Sequence, residues 1–184
     1  MRKTDLSEFN NGCFSPGRGT VIRIIWYLVN AILFNSYLIL SYGLKRGLLR
    51  AFGAKIGSNV VIKPKVNIKY PWKLEVGANT WIGEGVWIDN LETVNIGSNA
   101  CISQGALILS GNHDYTKSTF DLIVKPIKIN DGAWLGASSI VTQGVTIGDH
   151  AVLGVNSVAS SDLDDYWIYR GNPCQKIKER NISV

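Results

Sequence analysis

A parallel β-helix is the fold this sequence predicts, because its aliphatic residues return every six positions rather than at the helical or strand period. They fall at Ile56, Ile62 and Ile68, at Val76, Ile82 and Ile88, at Ile96, Ile102 and Ile108, and then at Ile129, Leu135, Val141, Ile147, Leu153 and Ala159. Two places before each stands a small or aliphatic residue, such as Val60, Thr80, Ala100 or Ser157. Gly often follows the aliphatic position, as at Gly57, Gly77, Gly83, Gly97, Gly136, Gly148 and Gly154. Each group of six forms one side of a three-sided prism. The aliphatic side chain fills the interior, the small residues sit at corners, and Gly is expected to supply corner conformations that a Cβ resists. Three such sides make a coil, and the prism has about five coils.

Three segments follow in order. Residues 1–53 form an arm and an apolar helical segment: Asn10-Asn11-Gly12 and Ser15-Pro16-Gly17 are turn formers, and residues 21–50 read as helix. No charged side chain occurs from Ile24 to Gly43, a run long enough to span a bilayer, but Asn30, Asn35, Ser36 and Ser41 are costly in hydrocarbon. A helical pair packed on the prism or on a neighbouring subunit is the expectation. The alternative is a helix in a membrane interface, anchored by Arg23, Lys45, Arg46 and Arg50. Residues 54–161 form the β-helix, interrupted at residues 110–126 by a loop reading SGNHDYTKSTFDLIVKP. Two-residue slips after Ile68 and Ile88 are corner insertions. Beyond Ala159 the pattern stops, and residues 162–184 are expected to form a polar tail with a short closing helix.

The net charge of +5 is concentrated in the first fifty residues, which carry seven basic and two acidic side chains. A basic front end points to an anionic surface, a membrane face or an acidic glycan. Nucleic acid is disfavoured, because no aromatic-basic RNA motif or zinc-ligand spacing occurs. Cys13, Cys101 and Cys174 are odd in number and far apart, which fits reduced thiols in a cytoplasmic protein. Trp81, Trp87 and Trp134 fall on outer faces, too much aromatic area for a lone prism, and a cyclic homotrimer would bury it.

Long loops on rigid scaffolds carry function, and His113, in Gly111-Asn112-His113-Asp114-Tyr115, stands at the base of the one long loop. An imidazole titrates near neutrality and can accept the proton of a hydroxyl nucleophile; a loop histidine making one hydrogen bond is the competing reading. His150 occupies a solvated corner of a regular hexad. No Gly-x-Ser-x-Gly elbow and no phosphate loop occurs, so direct attack is simpler than a covalent acyl-enzyme. With two histidines in all, no metal site is expected.

The runs Trp134-Leu135-Gly136-Ala137-Ser138, Gly144-Val145-Thr146-Ile147-Gly148, Ala151-Val152-Leu153-Gly154 and Gly171-Asn172-Pro173 resemble the left-handed β-helix acyltransferases. More narrowly, Lys69-Tyr70-Pro71-Trp72, Trp87-Ile88-Asp89-Asn90-Leu91, Ser103-Gln104-Gly105-Ala106, Gly111-Asn112-His113-Asp114 and Tyr169-Arg170-Gly171-Asn172-Pro173 resemble the colanic acid biosynthesis O-acetyltransferases, over nearly the whole chain. The resemblance implies a left-handed coil, against the usual right-handed crossover, and a homotrimer with active sites between subunits. It implies acetyl-CoA as donor, a sugar hydroxyl of an exopolysaccharide or its lipid-linked precursor as acceptor, and a cytoplasmic location, peripheral at the inner membrane face through residues 21–50. By position, His113 is the general base; Asp89, Asn90, Asn112, Asp114 and Trp134 bind the acceptor; Gly136, Ala137, Gly154, Ala159, Ser160, Arg170 and Lys176 bind the donor. Relatives place Thr-Lys or Thr-Arg where this chain has Ser160-Ser161, and Arg170 stands where a small residue is usual and replaces the lost cation. The competing functions are an acyltransferase on another acceptor (antibiotic, free sugar or amine) and a non-catalytic β-helix scaffold.

Overall fold

The fifteen repeated aliphatics point into one continuous core, all less than a tenth exposed, and their backbone pairs upward from coil to coil. The computed structural model describes residues 3–12, 14–38 and 41–183; Cys13 lies outside them. In the first coil are β1 (Lys55–Ile56), β2 (Val61–Ile62) and β3 (Asn67–Ile68); in the second, β4 (Leu74–Val76), β5 (Trp81–Ile82) and β6 (Trp87–Asp89). The third holds β7 (Val94–Ile96), β8 (Cys101–Ile102) and β9 (Leu107–Leu109), from which a hairpin departs, β10 (Gly111–His113) and β11 (Leu122–Val124). The fourth holds β12 (Ile127–Ile129), β13 (Trp134–Leu135) and β14 (Ile140–Val141), and the fifth β15 (Thr146–Ile147), β16 (Val152–Leu153) and β17 (Val158–Ala159). A closing hairpin, β18 (Trp167–Gly171) and β19 (Cys174–Glu179), completes the chain.

Stacking makes three parallel sheets whose outward residues form ladders. Face A carries Lys55, Glu75, Asn95, Lys128 and Thr146; face B carries Val61, Trp81, Cys101, Trp134, Val152 and Ile168; face C carries Asn67, Trp87, Leu107, Ile140 and Val158. Face A is polar, with Lys55 and Glu75 ion-paired at 2.6 Å. Faces B and C are largely apolar and leave Trp81, Trp87 and Trp134 exposed.

Glycine acts differently from the expectation. The glycines after the aliphatic position are not left-handed. They permit close stacking instead: a Cβ on Gly57 would lie 2.6 Å from the amide nitrogen of Ala78, and one on Gly136 2.6 Å from that of Val155. The left-handed corner comes two residues later, at Asn59, Asn79, Asn99, Ser138, His150 and Asn156 among others, with φ between 54° and 58°. Asn tolerates that region best among residues with a Cβ, which explains its recurrence.

The coil also continues further than the six-residue count. Leu163 bridges Ile147 on face A, and β18 pairs with β16 on face B, giving a sixth, partial coil. Ile147 to Leu163 and Leu153 to Tyr169 are sixteen residues rather than eighteen; this two-residue shortening hides the rung from a hexad count. The expected C-terminal helix is replaced by β19, antiparallel to β18, because the open edge of the last rung takes a strand more readily than a helix.

The apolar front end forms α1 (Thr20–Val29), a π-helical turn over Asn30–Phe34, and α2 (Tyr42–Ala51). Among the described residues no helix is long and apolar enough to cross a membrane. Of the polar residues that argued against a span, Asn30 fastens this segment to β3, bonding the Asn67 side chain (2.6 Å) and the Ile68 amide (3.2 Å), while Trp26 Nε1 donates to the Ile68 carbonyl at 2.8 Å. The basic residues of α2 are not anchors. Lys45 donates to the Lys63 carbonyl (2.9 Å), Arg46 to that of Val60 (2.8 Å) and Arg50 to that of Ile56 (2.7 Å). Their charge covers the lower edge of the first coil, where backbone carbonyls would otherwise lie open.

Candidate active site

Ser110 turns the chain off face C: its amide and hydroxyl both donate to the Asp89 carbonyl, at 3.2 and 3.1 Å. The hairpin pairs Gly111 with Val124, Asn112 with Ile123 and His113 with Leu122. His113 is half-buried, and its Nδ1 lies 3.0 Å from the Phe120 carbonyl oxygen. A carbonyl only accepts, so Nδ1 carries the proton and Nε2 of the neutral ring presents a lone pair. The imidazole stacks on the Phe120 ring at 4.4 Å and 8°, and Phe9 from the N-terminal arm packs at 5.6 Å and 56°. The arm is held there by Asp5, whose amide donates to the Ser118 carbonyl at 2.8 Å. Phe120 itself has φ +52°, the left-handed region unusual for an aromatic residue. Neither Phe9 nor Phe120 was marked by sequence spacing; an aromatic amid polar loop residues was the only signal.

The remaining acceptor candidates divide. Asn112 Oδ1 accepts from the His113 amide at 2.8 Å, leaving its amino group for a ligand. Asp114 holds the turn through the Thr116 amide (3.1 Å) and hydroxyl, bonds that keep its carboxyl below the usual carboxylate range. Asp89 pairs with Lys69 at 2.9 Å. Asn90 leaves the set: it is fully buried, accepts from the Tyr70 amide (2.9 Å) and donates to the Tyr70 carbonyl (2.6 Å), so its amide clamps a corner. Trp134 lies on face B, with Nε1 bonded to the Ser103 hydroxyl at 2.9 Å, so one protomer does not bring it to the histidine hairpin.

Among the donor candidates, Gly136, Gly154 and Arg170 line one groove of about 550 Å³ on upper face B, together with the acceptor candidate Trp134 and with Val155 and Arg180. A Cβ on Gly154 would approach Arg170 Cγ to 2.9 Å, so this glycine lets the arginine stem lie across the rung. Arg180 is anchored to the carbonyls of Gly132 (3.0 Å) and His150 (2.9 Å). Ala137 sits at the corner between faces B and C, and Ala159 and Ser160 end face C, outside the groove. Lys176 is a second correction. It bonds Asp164 at 2.6 Å and lies 3.8 Å over the Trp167 ring, which fixes the closing hairpin and takes it out of the donor set. Cys101 and Cys174 are free thiols whose burial pushes their titration up, unsuited to a nucleophile. No cluster of metal-ligating side chains occurs among the described residues.

The comparisons with known proteins agree with this geometry. A hexapeptide-repeat-containing acetyltransferase of Vibrio cholerae O1 biovar eltor, solved with acetyl coenzyme A, superposes with TM-score 0.81 at 21% identity over 96% of this chain and 97% of that one. Galactoside acetyltransferase in complex with coenzyme A superposes with TM-score 0.79 at 24% identity over 97% and 92%. The fold is thus the left-handed parallel β-helix of the hexapeptide-repeat acetyltransferases. Galactoside O-acetyltransferase of Escherichia coli (strain K12) is 29% identical over 140 residues, 74% of this chain and 69% of the relative. The putative colanic acid biosynthesis acetyltransferase WcaF of the same organism is 40% identical over 176 residues, 96% of this chain and 97% of the relative. The chain belongs to the WcaF family of colanic acid acetyltransferases and is an acetyltransferase. No family model matches it.

Proposed function

We propose that the chain transfers an acetyl group from acetyl-CoA to a hydroxyl of a sugar in an exopolysaccharide or its lipid-linked precursor, with His113 as general base. The carrying observation is the Nδ1–Phe120 contact, which leaves Nε2 as the basic atom. Nε2 takes the hydroxyl proton while the sugar oxygen attacks the thioester carbonyl. Collapse of the tetrahedral intermediate breaks the carbon–sulfur bond, and the departing thiolate recovers the proton from the imidazolium. Gly136, Ala137, Gly154, Ala159, Ser160 and Arg170 serve the donor; Asp89, Asn112 and Asp114 serve the acceptor.

A trimer completes the site. Faces B and C are the apolar ones, and packing B of one protomer on C of the next buries the three exposed tryptophans. It also brings the groove and Trp134 of one subunit toward the hairpin of its neighbour. The outward stripe of α1 rests in a membrane interface at the cytoplasmic face, held by apolar area rather than by charge.

Titration with acetyl-CoA, a thiol-release assay and light scattering on wild type and His113→Ala test this reading. Both proteins are expected to bind one acetyl-CoA per subunit and to scatter as trimers, with turnover in the variant lower by about a hundred- to ten-thousand-fold. Unchanged turnover removes His113 from the chemistry; absence of acetyl-CoA binding in wild type favours a scaffold.

A further inference from the structure

A cavity of about 390 Å³ lies between α1 with its π-helical turn and the lower part of face C, lined by Arg23, Tyr27, Asn35, Lys69, Trp87 and Asp89 among others. One of its polar atoms, Arg23 Nε, is buried and takes no hydrogen bond. Arg23 donates from Nη2 to Thr20 Oγ1 at 2.9 Å and makes no ion pair among the described residues. Asp89 Oδ1 is ion-paired with Lys69 at 2.9 Å. With that pair neutral, the lining carries the one positive charge of Arg23. The half-buried guanidinium has no carboxylate partner among the described residues, so an anion in the cavity would be its counterion.

The other walls fit a saccharide. Tyr27 presents an exposed ring for stacking on a sugar face, and Asp89 and Asn35 offer acceptors and donors for hydroxyls. The cavity is also near the chemistry. The Asp89 carbonyl receives both bonds from Ser110, and His113 follows three residues later, within about 10 Å along extended chain. We infer that this cavity binds an anionic saccharide unit of the acceptor, adjacent to the residue that is acetylated, with Arg23 meeting its oxyanion. The oxyanion is the carboxylate of a uronate or the phosphate of a glycosyl phosphate. The inference rests on acetyl transfer at His113, but its test does not require turnover.

Ligand-observed NMR titrations of the full chain, without acetyl-CoA, would use p-nitrophenyl β-D-glucuronide, glucose 1-phosphate and the neutral p-nitrophenyl β-D-glucoside. The charged ligand of the right class is expected to bind about tenfold more tightly than the glucoside. Arg23→Gln is expected to erase that difference while leaving glucoside binding, acetyl-CoA binding and the melting temperature in place; Arg23→Lys retains part of it. Preference for the glucuronide assigns a carboxylate, and preference for the glycosyl phosphate assigns a phosphate. Equal binding of all three by wild type, or a charge preference untouched in Arg23→Gln, overturns the inference. A failed His113→Ala assay with the charge preference intact would instead sink the catalytic reading alone.

Discussion

His113 is basic at Nε2 because a strained residue holds its other nitrogen. Phe120 at φ +52° aims its carbonyl at Nδ1 while its ring stacks on the imidazole. A left-handed non-glycine costs about 1–3 kcal/mol, a cost typically met at functional sites. Phe120→Gly removes that strain together with the stacked ring. It is expected to unfold no earlier than wild type but to lose about tenfold or more in kcat, with little change in KM for acetyl-CoA. Steady-state kinetics beside a melting curve checks this, and a kcat equal to wild type would show that the ring and turn do not orient the base. Lys45 makes a different residue-level case. It is fully buried, and desolvation pushes its ammonium below the ordinary value of 10.5. A base depressed in the folded state destabilises that state while protonated, and the penalty fades as pH rises through the folded value toward 10.5. Wild type should therefore gain stability relative to Lys45→Met as pH rises from the depressed folded value toward 10.5 in urea unfolding; parallel pH curves would contradict it.

The elements differ in how far the sequence revealed them. The interior ladder was legible because most sides of the prism are six residues long, apart from the slips after Ile68 and Ile88 and the long insertion, so Ile56 through Ala159 announce themselves. Leu163 and Tyr169 did not, since their rung is two residues short. Lys45, Arg46 and Arg50 looked like membrane anchors because composition records charge but not the carbonyls that receive it. In the site, His113 was legible from its place in the one long insertion. Phe9 and Phe120 reach it through tertiary contact, which no spacing encodes. What remains on α1 and the π-helical turn after it is an uncharged stripe, Val21, Ile24, Ile25, Leu28 and Ile32, at helical spacing and 47–71% exposed. Binding driven by area, at about 25 cal/mol per Å², should be insensitive to salt and to lipid charge. Co-sedimentation with neutral vesicles is expected for wild type and not for a double Ile24→Glu, Leu28→Glu variant, with the trimer intact in both. Loss of the trimer in that variant would assign the stripe to the subunit interface.

At the scale of the whole molecule, the two ends of the solenoid are finished differently. Below, α2 places three cations on the carbonyls of the first coil; above, β19 folds back on β18. A chain beginning at residue 54 should lose the lower closure and form large particles in light scattering, whereas soluble trimers from such a chain would make the cap dispensable. The closure also decides what kind of assembly is available. A stack of identical rungs is one hydrogen-bonded step away from endless end-to-end growth, as in amyloid. With the first coil covered, no second copy can add its last rung there, and copies meet side by side. In the proposed trimer, two apolar flanks set at the angle of a triangle turn side-by-side meeting into a closed ring, so the cap that hides a strand edge also keeps the protein from becoming a fibre.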